Sequence, residues 1–350
     1  MENNKISSLE IGALSTFLYK AFILVGGINL LLSINKNDII ISSIIGFIIG
    51  FIIIFLFLKT NNILPKYNIF EKLDFLLPKF FSNLIKLILT LCVLIFASYG
   101  LYNITLFIQS VILNNVDILP ISILLAITIA YLSNKGIKTL VRASLICLFI
   151  FIIFESISVL FAISNINSIK ILPLFQSDFS STIYSSFNYI TLSFIPLFML
   201  LIIPKNNIKE NKKHNKIIKL FFVATNLYTI FNFILLLSII DSNLAVSINY
   251  PEIFILSKIS LLNFFDRIED LLSFKLIFDS FFLISTAITY IKVGIKSIIK
   301  KEKPNKYLVF FSSVIIIILS NFINLEPLLI PSLILFFFTN IFILIFYKFS

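Results

Sequence analysis

An all-α integral membrane fold of about ten transmembrane helices is what this sequence predicts, and three observations predict it. Hydrophobic residues fill 59% of the 350 positions and charged ones 13%, a balance that no soluble domain of this size can wrap around one core. The apolar residues fall in runs near the roughly 20 residues that a helix needs to cross about 30 Å of hydrocarbon. The Lys residues gather in short segments between those runs, as topology signals do.

The spans are read at approximately 9–32, 37–58, 81–108, 119–134, 141–164, 182–203, 217–240, 270–297, 306–323 and 327–347. The fourth and ninth are short, and the first half of the sixth is polar. With the N-terminus inside, 21 basic residues fall on inner segments. Five fall on outer ones: Lys36, Lys170, Lys258, Arg267 and Lys275; Lys20 and Lys86 lie within spans. That asymmetry predicts that both termini are cytoplasmic. The formal charge of +11 is then a topology signal rather than a nucleic-acid footprint. The polar stretch Met1 to Glu10 leads into an apolar run without a small-residue cleavage site, so no signal peptide is expected. The longest loops, 59–80 and 241–269, leave no soluble domain over.

Phe occupies 41 positions and Trp none, and all basic residues but Arg142 and Arg267 are Lys. The skew looks like AT-rich coding bias, so individual Phe and Lys residues carry little weight. Cys92 and Cys147 each sit in a long apolar stretch, and no disulfide framework is expected.

Ionisable and helix-breaking residues inside the spans are the informative ones. Lys20 stands near the middle of the first span, where a Lys costs about 2.5–3.5 kcal/mol on insertion scales and needs a partner or a polar cavity. Gly26-Gly27 follows it. Two readings stand there: close helix packing, or a local break whose freed backbone groups face a solute. Glu155 lies deep in the fifth span, about 14 Å from its outer end at about 1.5 Å per residue. It can meet Lys20 in an ion pair, at the place where a coupling cation sits in sodium-driven transporters. The competing reading gives each its own partner, Asp279 or backbone carbonyls. Asp279 and Tyr290, with Ser280, Ser285 and Thr286, form a polar stripe in the eighth span that lines a cavity or bonds its own backbone. Tyr99 and Tyr102, with Ser98 and Asn103, gather on one turn of the third span, in binding or structural roles. Asn188, Thr191, Ser193 and Pro196 interrupt the sixth, where Pro196 predicts a kinked or discontinuous helix. Broken helices at matching places in two halves point to a transporter site, and spans one and six are those places if the fold is five plus five.

The lone His214 lies on a cytoplasmic loop, no Cys or His spacing suits a metal, and no phosphate loop or nucleophile elbow occurs. No catalytic residue, metal or cofactor is expected, and the chain does not read as an enzyme.

Several motifs occur in order. Lys5-Ile6-Ser7 leads into the first span and Asp38-Ile39-Ile40-Ile41-Ser42 opens the second. The loop Asn134-Lys135-Gly136-Ile137-Lys138-Thr139-Leu140-Val141-Arg142 joins spans four and five, and Ile171-Leu172-Pro173-Leu174 precedes the sixth. Asn249-Tyr250-Pro251-Glu252 and Phe264-Phe265-Asp266-Arg267-Ile268-Glu269 precede the eighth. In these the chain resembles, over essentially its whole length, the B subunits of spore germination nutrient receptors, within the amino acid/polyamine/organocation permease superfamily. In that resemblance Gly136, Arg142, Pro251, Arg267 and Glu269 are motif positions. The two arginines are either planar, bidentate contacts that Lys would not reproduce or simple helix-end pairs. The sequence departs from the family in carrying Lys20 where a small residue is usual, and in lacking an acidic residue and a Trp from the later motifs.

The resemblance implies a single permease-like domain, 1–350, with a LeuT-like five-plus-five inverted repeat (about 9–164 and 182–347). It also implies a solute site at mid-membrane formed by the interrupted spans one and six with spans three and eight. Lys20, Gly26, Gly27, Tyr99, Tyr102, Asn188, Thr191, Ser193 and Asp279 are then the candidate solute contacts, and Lys20 with Glu155 the candidate ion-pair or proton-coupling residues. Lys20 either salt-bridges a solute carboxylate or fills the site itself. The expected setting is the inner membrane of a bacterial spore, with A and lipoprotein C subunits as partners and a nutrient, an amino acid in the first instance, as ligand. The rival readings are a free-standing proton-coupled amino acid permease and a scaffold or pore without a specific ligand.

Overall fold

The computed structural model describes residues 5–113, 115–163, 166, 168–209, 211–257, 269–299 and 306–349. Among the described residues the chain is helical, and its extended pairing is confined to one bridge between Ile6 and Ile208. In lipid each backbone group needs a partner from its own segment, which helices supply.

Helix α1 (Ser8–Phe22) begins on a capping box. Ser7 Oγ accepts from the Glu10 amide at 3.2 Å, and the Glu10 carboxylate accepts from the Ser7 amide at 2.8 Å. A π turn (Ile23–Gly27) joins it to α2 (Ile28–Asn35), and a 3-10 turn (Lys36–Asp38) leads on to α3 (Ile39–Asn62). The short α4 (Ile69–Leu76) starts on a second capping box, Asn68 with Glu71. Then come α5 (Lys79–Phe107), α6 (Ile118–Lys135), α7 (Ile137–Ile163) and α8 (Phe179–Phe194), the last continuing as a 3-10 stretch, Ile195–Ile202. They are followed by α9 (Asn211–Ile239), two short helices, α10 (Ser242–Ser247) and α11 (Pro251–Ser257), and α12 (Glu269–Ile299), α13 (Lys306–Phe322) and α14 (Glu326–Phe349).

Eight helical segments among the described residues are long and apolar enough to cross a membrane. The ninth predicted span is covered by the shorter α13, of 17 residues, and the first by α1, of 15 residues, with the π turn and the start of α2. Helix α1 is buried along nearly its whole length and packs against α7, α8, α9 and α12. The peripheral helices turn large apolar side chains outward: Ile48, Ile52 and Phe55 on α3, Leu124 and Ile127 on α6, and Ile146, Phe149 and Ile153 on α7 are exposed. Such a belt suits hydrocarbon as the solvent.

Two local constraints hold this packing. Gly46 and Gly50, one turn apart on α3, sit where the Tyr189 and Phe194 rings occupy the space a Cβ would need, so α3 closes directly on α8. Gly136, at φ +90°, is the one-residue link between α6 and α7, a conformation that L side chains resist. On the far side from the N-terminus, the Asp38 carboxylate accepts the Phe175 and Ser177 amides at 2.6 and 2.7 Å and so fixes the loop before α8.

Two expectations need comment. Lys275, assigned to an outer segment, is instead in the second turn of α12 with its side chain 3% exposed. That helix begins early enough, at Glu269, to carry it into the bundle. Arg267 lies outside the described residues.

Gly136→Ala is expected to lower stability by about 1 kcal/mol through backbone strain alone, since an added methyl meets nothing within 4 Å. Gly50→Leu is expected to cost about 1–3 kcal/mol by overpacking the α3–α8 contact. Thermal unfolding of the detergent-solubilised protein checks both.

Candidate functional site

The last turn of α1 carries Lys20, α7 carries Glu155, and α12 carries Lys275 and Asp279, an i,i+4 pair on one helix face. Packing of α1, α7 and α12 against one another brings the four together. Lys20 Nζ donates to Glu155 Oε1 at 2.8 Å; Lys275 Nζ reaches the same oxygen at 2.9 Å and Asp279 Oδ2 at 3.1 Å. All four side chains are almost fully buried. Lys20 Nζ also lies 4.0 Å from the centroid of the Tyr228 ring on α9, a cation–π contact. Two ammonium groups thus face two carboxylates, the arrangement by which buried charges become tolerable.

Three residues beyond Lys20 the helix changes character. In the π turn Gly26 adopts φ +99°, and a Cβ there would stand 3.8 Å from the Asn103 amide of α5. At Gly27 a Cβ would collide with the carbonyl oxygen of Phe22. These residues border a cavity of about 390 Å³ whose walls include Phe22, Gly26, Gly27, Asn29, Tyr99, Leu192 and Ile330. The volume falls in the range of small-molecule sites. Ser33 borders both this cavity and a more polar chamber of about 450 Å³ between the α2–α3 turn and the loops around Pro173 and Asp241.

At the N-terminal end the bundle is tied shut. The Ile6 amide donates to Asn207 O and the Lys209 amide to Ile6 O, both at 2.9 Å. Arg142 Nε lies 3.6 Å from Glu10 Oε1, and a ring nitrogen of His214 lies 3.3 Å from Ser8 Oγ.

Of the residues singled out in the sequence, Gly26, Gly27 and Tyr99 border the cavity, while Lys20, Glu155 and Asp279 meet in the ion cluster. Tyr102, Asn188, Thr191 and Ser193 are not among the residues bordering it. Thr191 Oγ1 donates to Phe187 O at 2.8 Å, and Ser193 Oγ donates to Tyr19 O at 3.1 Å, joining the α8 transition to α1. The Asn188 amide is buried one turn before Leu192, with neither its oxygen nor its nitrogen partnered among the described residues. Helix α8 passes into its 3-10 stretch at Ile195, beside Pro196. Among the motif positions, Gly136 is the α6–α7 link, Arg142 faces Glu10, Pro251 opens α11 and Glu269 opens α12.

Sequence reasoning missed Lys275, Tyr228, Asn29 and Glu252 as neighbours of this region. Lys275 had a signal, its spacing of four from Asp279 on one helix face.

A family model described as a spore germination protein matches residues 9–328 of the chain. No curated protein matches it.

Unequal costs are expected within the ion cluster. Lys20→Met leaves Glu155 with Lys275, whereas Glu155→Gln removes the one carboxylate in contact with the Lys20 ammonium and leaves it a neutral amide oxygen and the Tyr228 ring. Glu155→Gln should therefore destabilise by about 3–5 kcal/mol and Lys20→Met by clearly less. Equal losses in thermal unfolding would refute this division of roles.

Proposed function

Because the chain belongs to the spore germination protein family, matched over nearly its whole length, we propose that it is the permease-like subunit of a nutrient germinant receptor. It is a multi-pass integral membrane protein of the spore inner membrane, and its family is one of membrane permeases and receptors rather than of enzymes. In this reading a small solute, an amino acid in the first instance, binds in the cavity beside Gly26 and Gly27, and A and C subunits read the bound state.

The observation that carries the proposal is the coincidence of that cavity with the break between α1 and α2, across from Leu192 just before α8 itself changes form. Helix interruptions expose backbone donors and acceptors that lipid forbids and a polar solute satisfies. The same coincidence supports a single domain of ten spans in two inverted repeats, about 9–164 and 182–347, each opening on an interrupted helix, and the basic residues gathered on inner segments support cytoplasmic termini. Gly26, Gly27 and Tyr99 contact the solute; Asn188 offers an amide nearby. Lys20 with Glu155 takes the place of a coupling cation, with Asp279 holding Lys275 alongside. Binding shifts the population of helix arrangements by its differential affinity for them.

The buried ion cluster favours one rival, a proton-coupled amino acid permease working through Lys20 or Glu155. Two measurements separate the readings. Purified protein should be thermally stabilised by one amino acid and not by its enantiomer, and vesicles containing this chain alone should accumulate none of it. Uptake driven by a proton gradient would establish the rival, and stabilisation by no solute would leave a scaffold.

A further inference from the structure

Between the helix break and the loop helix α11 lies a pocket of about 10 Å³, bordered by Gly26, Asn29, Tyr250, Pro251, Glu252 and Leu276 among others. Gly26 and Asn29 border the 390 Å³ cavity as well, so the two spaces meet at the break. The pocket has room for about one water-sized group.

Its side-chain lining carries two buried, unpartnered acceptors. Asn29 Nδ2 donates to the carbonyls of Ile248 and Asn249 at 3.0 and 2.9 Å. That orients the amide, and Asn29 Oδ1 is buried with no partner among the described residues. Glu252 Oε1 is buried and unpartnered in the same way. Ser110 donates to the Tyr250 phenol oxygen. Two residues that each carry a buried, unpartnered oxygen thus border one water-sized space, Glu252 bordering also a pocket of about 40 Å³ with Tyr228 and Asn232, and a buried acceptor left unmatched costs about 1–3 kcal/mol. What matches them is a donor.

Charge points the same way. Lys20 and Lys275 are balanced by Glu155 and Asp279 through direct contacts. Glu252 makes no such contact among the described residues, where Lys275 and Lys20 act on it only from a distance. A primary ammonium is compact, positive and carries only donors; a carboxylate offers only acceptors, and a hydroxyl brings one donor and no charge where two acceptors wait.

We propose that Asn29 Oδ1 and Glu252 Oε1 form an ammonium subsite, which takes the primary amino group of a solute whose remainder lies in the larger cavity across Gly26. The proposal rests on the solute-binding reading and narrows it: the ligand class is primary amines and amino acids, selected over hydroxy acids and sugars. The glycine at 26 leaves the passage between the two spaces clear of a side chain.

The subsite has a pH signature. Helix α11 belongs to the loop between spans, and burial pushes the Glu252 carboxyl up to about 7. The charged groups around it are Lys275 and Asp279 from α12, Lys20 from α1 and Glu155 from α7, with the Tyr228 phenol from α9. The ionised carboxylate that pairs with ammonium gains population as pH rises through neutrality, so ammonium binding strengthens over that interval. Apart from ligand, a carboxyl whose folded pKa is raised favours the folded state most below its unfolded value of 4.5, and that advantage is lost as pH rises through about 7.

The test is thermal stabilisation of the full chain in detergent. The probes are the common L-amino acids, the 2-hydroxy acids that match them, such as L-lactate, and neutral sugars. Stabilisation by an amino acid but not by its hydroxy counterpart is expected. Glu252→Gln should weaken that binding by about tenfold or more, in the range of a lost charge-assisted hydrogen bond, and flatten its pH dependence. Should Glu252→Gln fail to purify, Glu252→Asp, which withdraws the carboxylate by one methylene, should weaken binding while keeping the pH slope. Binding by sugars or hydroxy acids that ignores Glu252→Gln would overturn the subsite and leave the solute-binding reading standing. Stabilisation by NaCl over choline chloride, without solute and lost in Glu252→Gln, would overturn it in favour of a metal cation. Stabilisation of the unaltered chain by none of the probes would overturn both.

Discussion

Charge compensation in a medium that cannot solvate ions is the constraint from which the interior of this protein follows. Lys20, Glu155, Lys275 and Asp279 come from three helices, and each is tolerable because a group of opposite charge stands within 3.1 Å. The contacts therefore fix where α1, α7 and α12 stand. Apolar packing fixes shape, as at Gly46 and Gly50; a buried ammonium fixes in addition which carboxylate it must stand beside.

The cluster also sets a boundary along the first helix. Up to Lys20, α1 is pinned to the core of the bundle. Beyond the π turn, α2 is held by different partners: Asn29 bonds the carbonyls of Ile248 and Asn249, and Lys36 donates to Asn243 Oδ1 at 2.9 Å. One half of the interrupted helix thus belongs with the ion cluster and the other with the loop that carries α10 and α11. The cavity sits at the seam between these two allegiances, where a bound solute would touch both.

Much of this architecture was legible in the sequence because lipid makes severe demands. The long apolar runs could be little other than spans, and so few ionisable residues occur inside them that Lys20 and Glu155 invite pairing. Gly26-Gly27 and Pro196 marked two of the places where helix geometry changes; the π turn at Ile108–Ile112 had no such mark. Polarity alone does not reveal direction, however. Thr191 and Ser193 looked like solute ligands but spend their hydroxyls on the carbonyls of Phe187 and Tyr19. Lys275 was misread because a basic residue near a span end normally marks a surface, and only its register with Asp279 betrayed otherwise. Asn29 and Glu252 were out of reach, since the loop that Asn29 holds is 219 and 220 residues away in sequence.

The π turn has a geometric consequence of its own. An α-helix advances by about 100° per residue, and a π turn holds one residue more than an α turn. The residues after Gly27, Asn29 among them, are therefore offset from where an unbroken helix would set them, and Gly26 at φ +99° redirects the chain in the same turn. A related chain one residue shorter between Phe22 and Ile28 would show the same hydropathy and nearly the same length. It would nevertheless present a different face to the loop, so kinship in this segment is better judged by residue count across the turn than by apolar character.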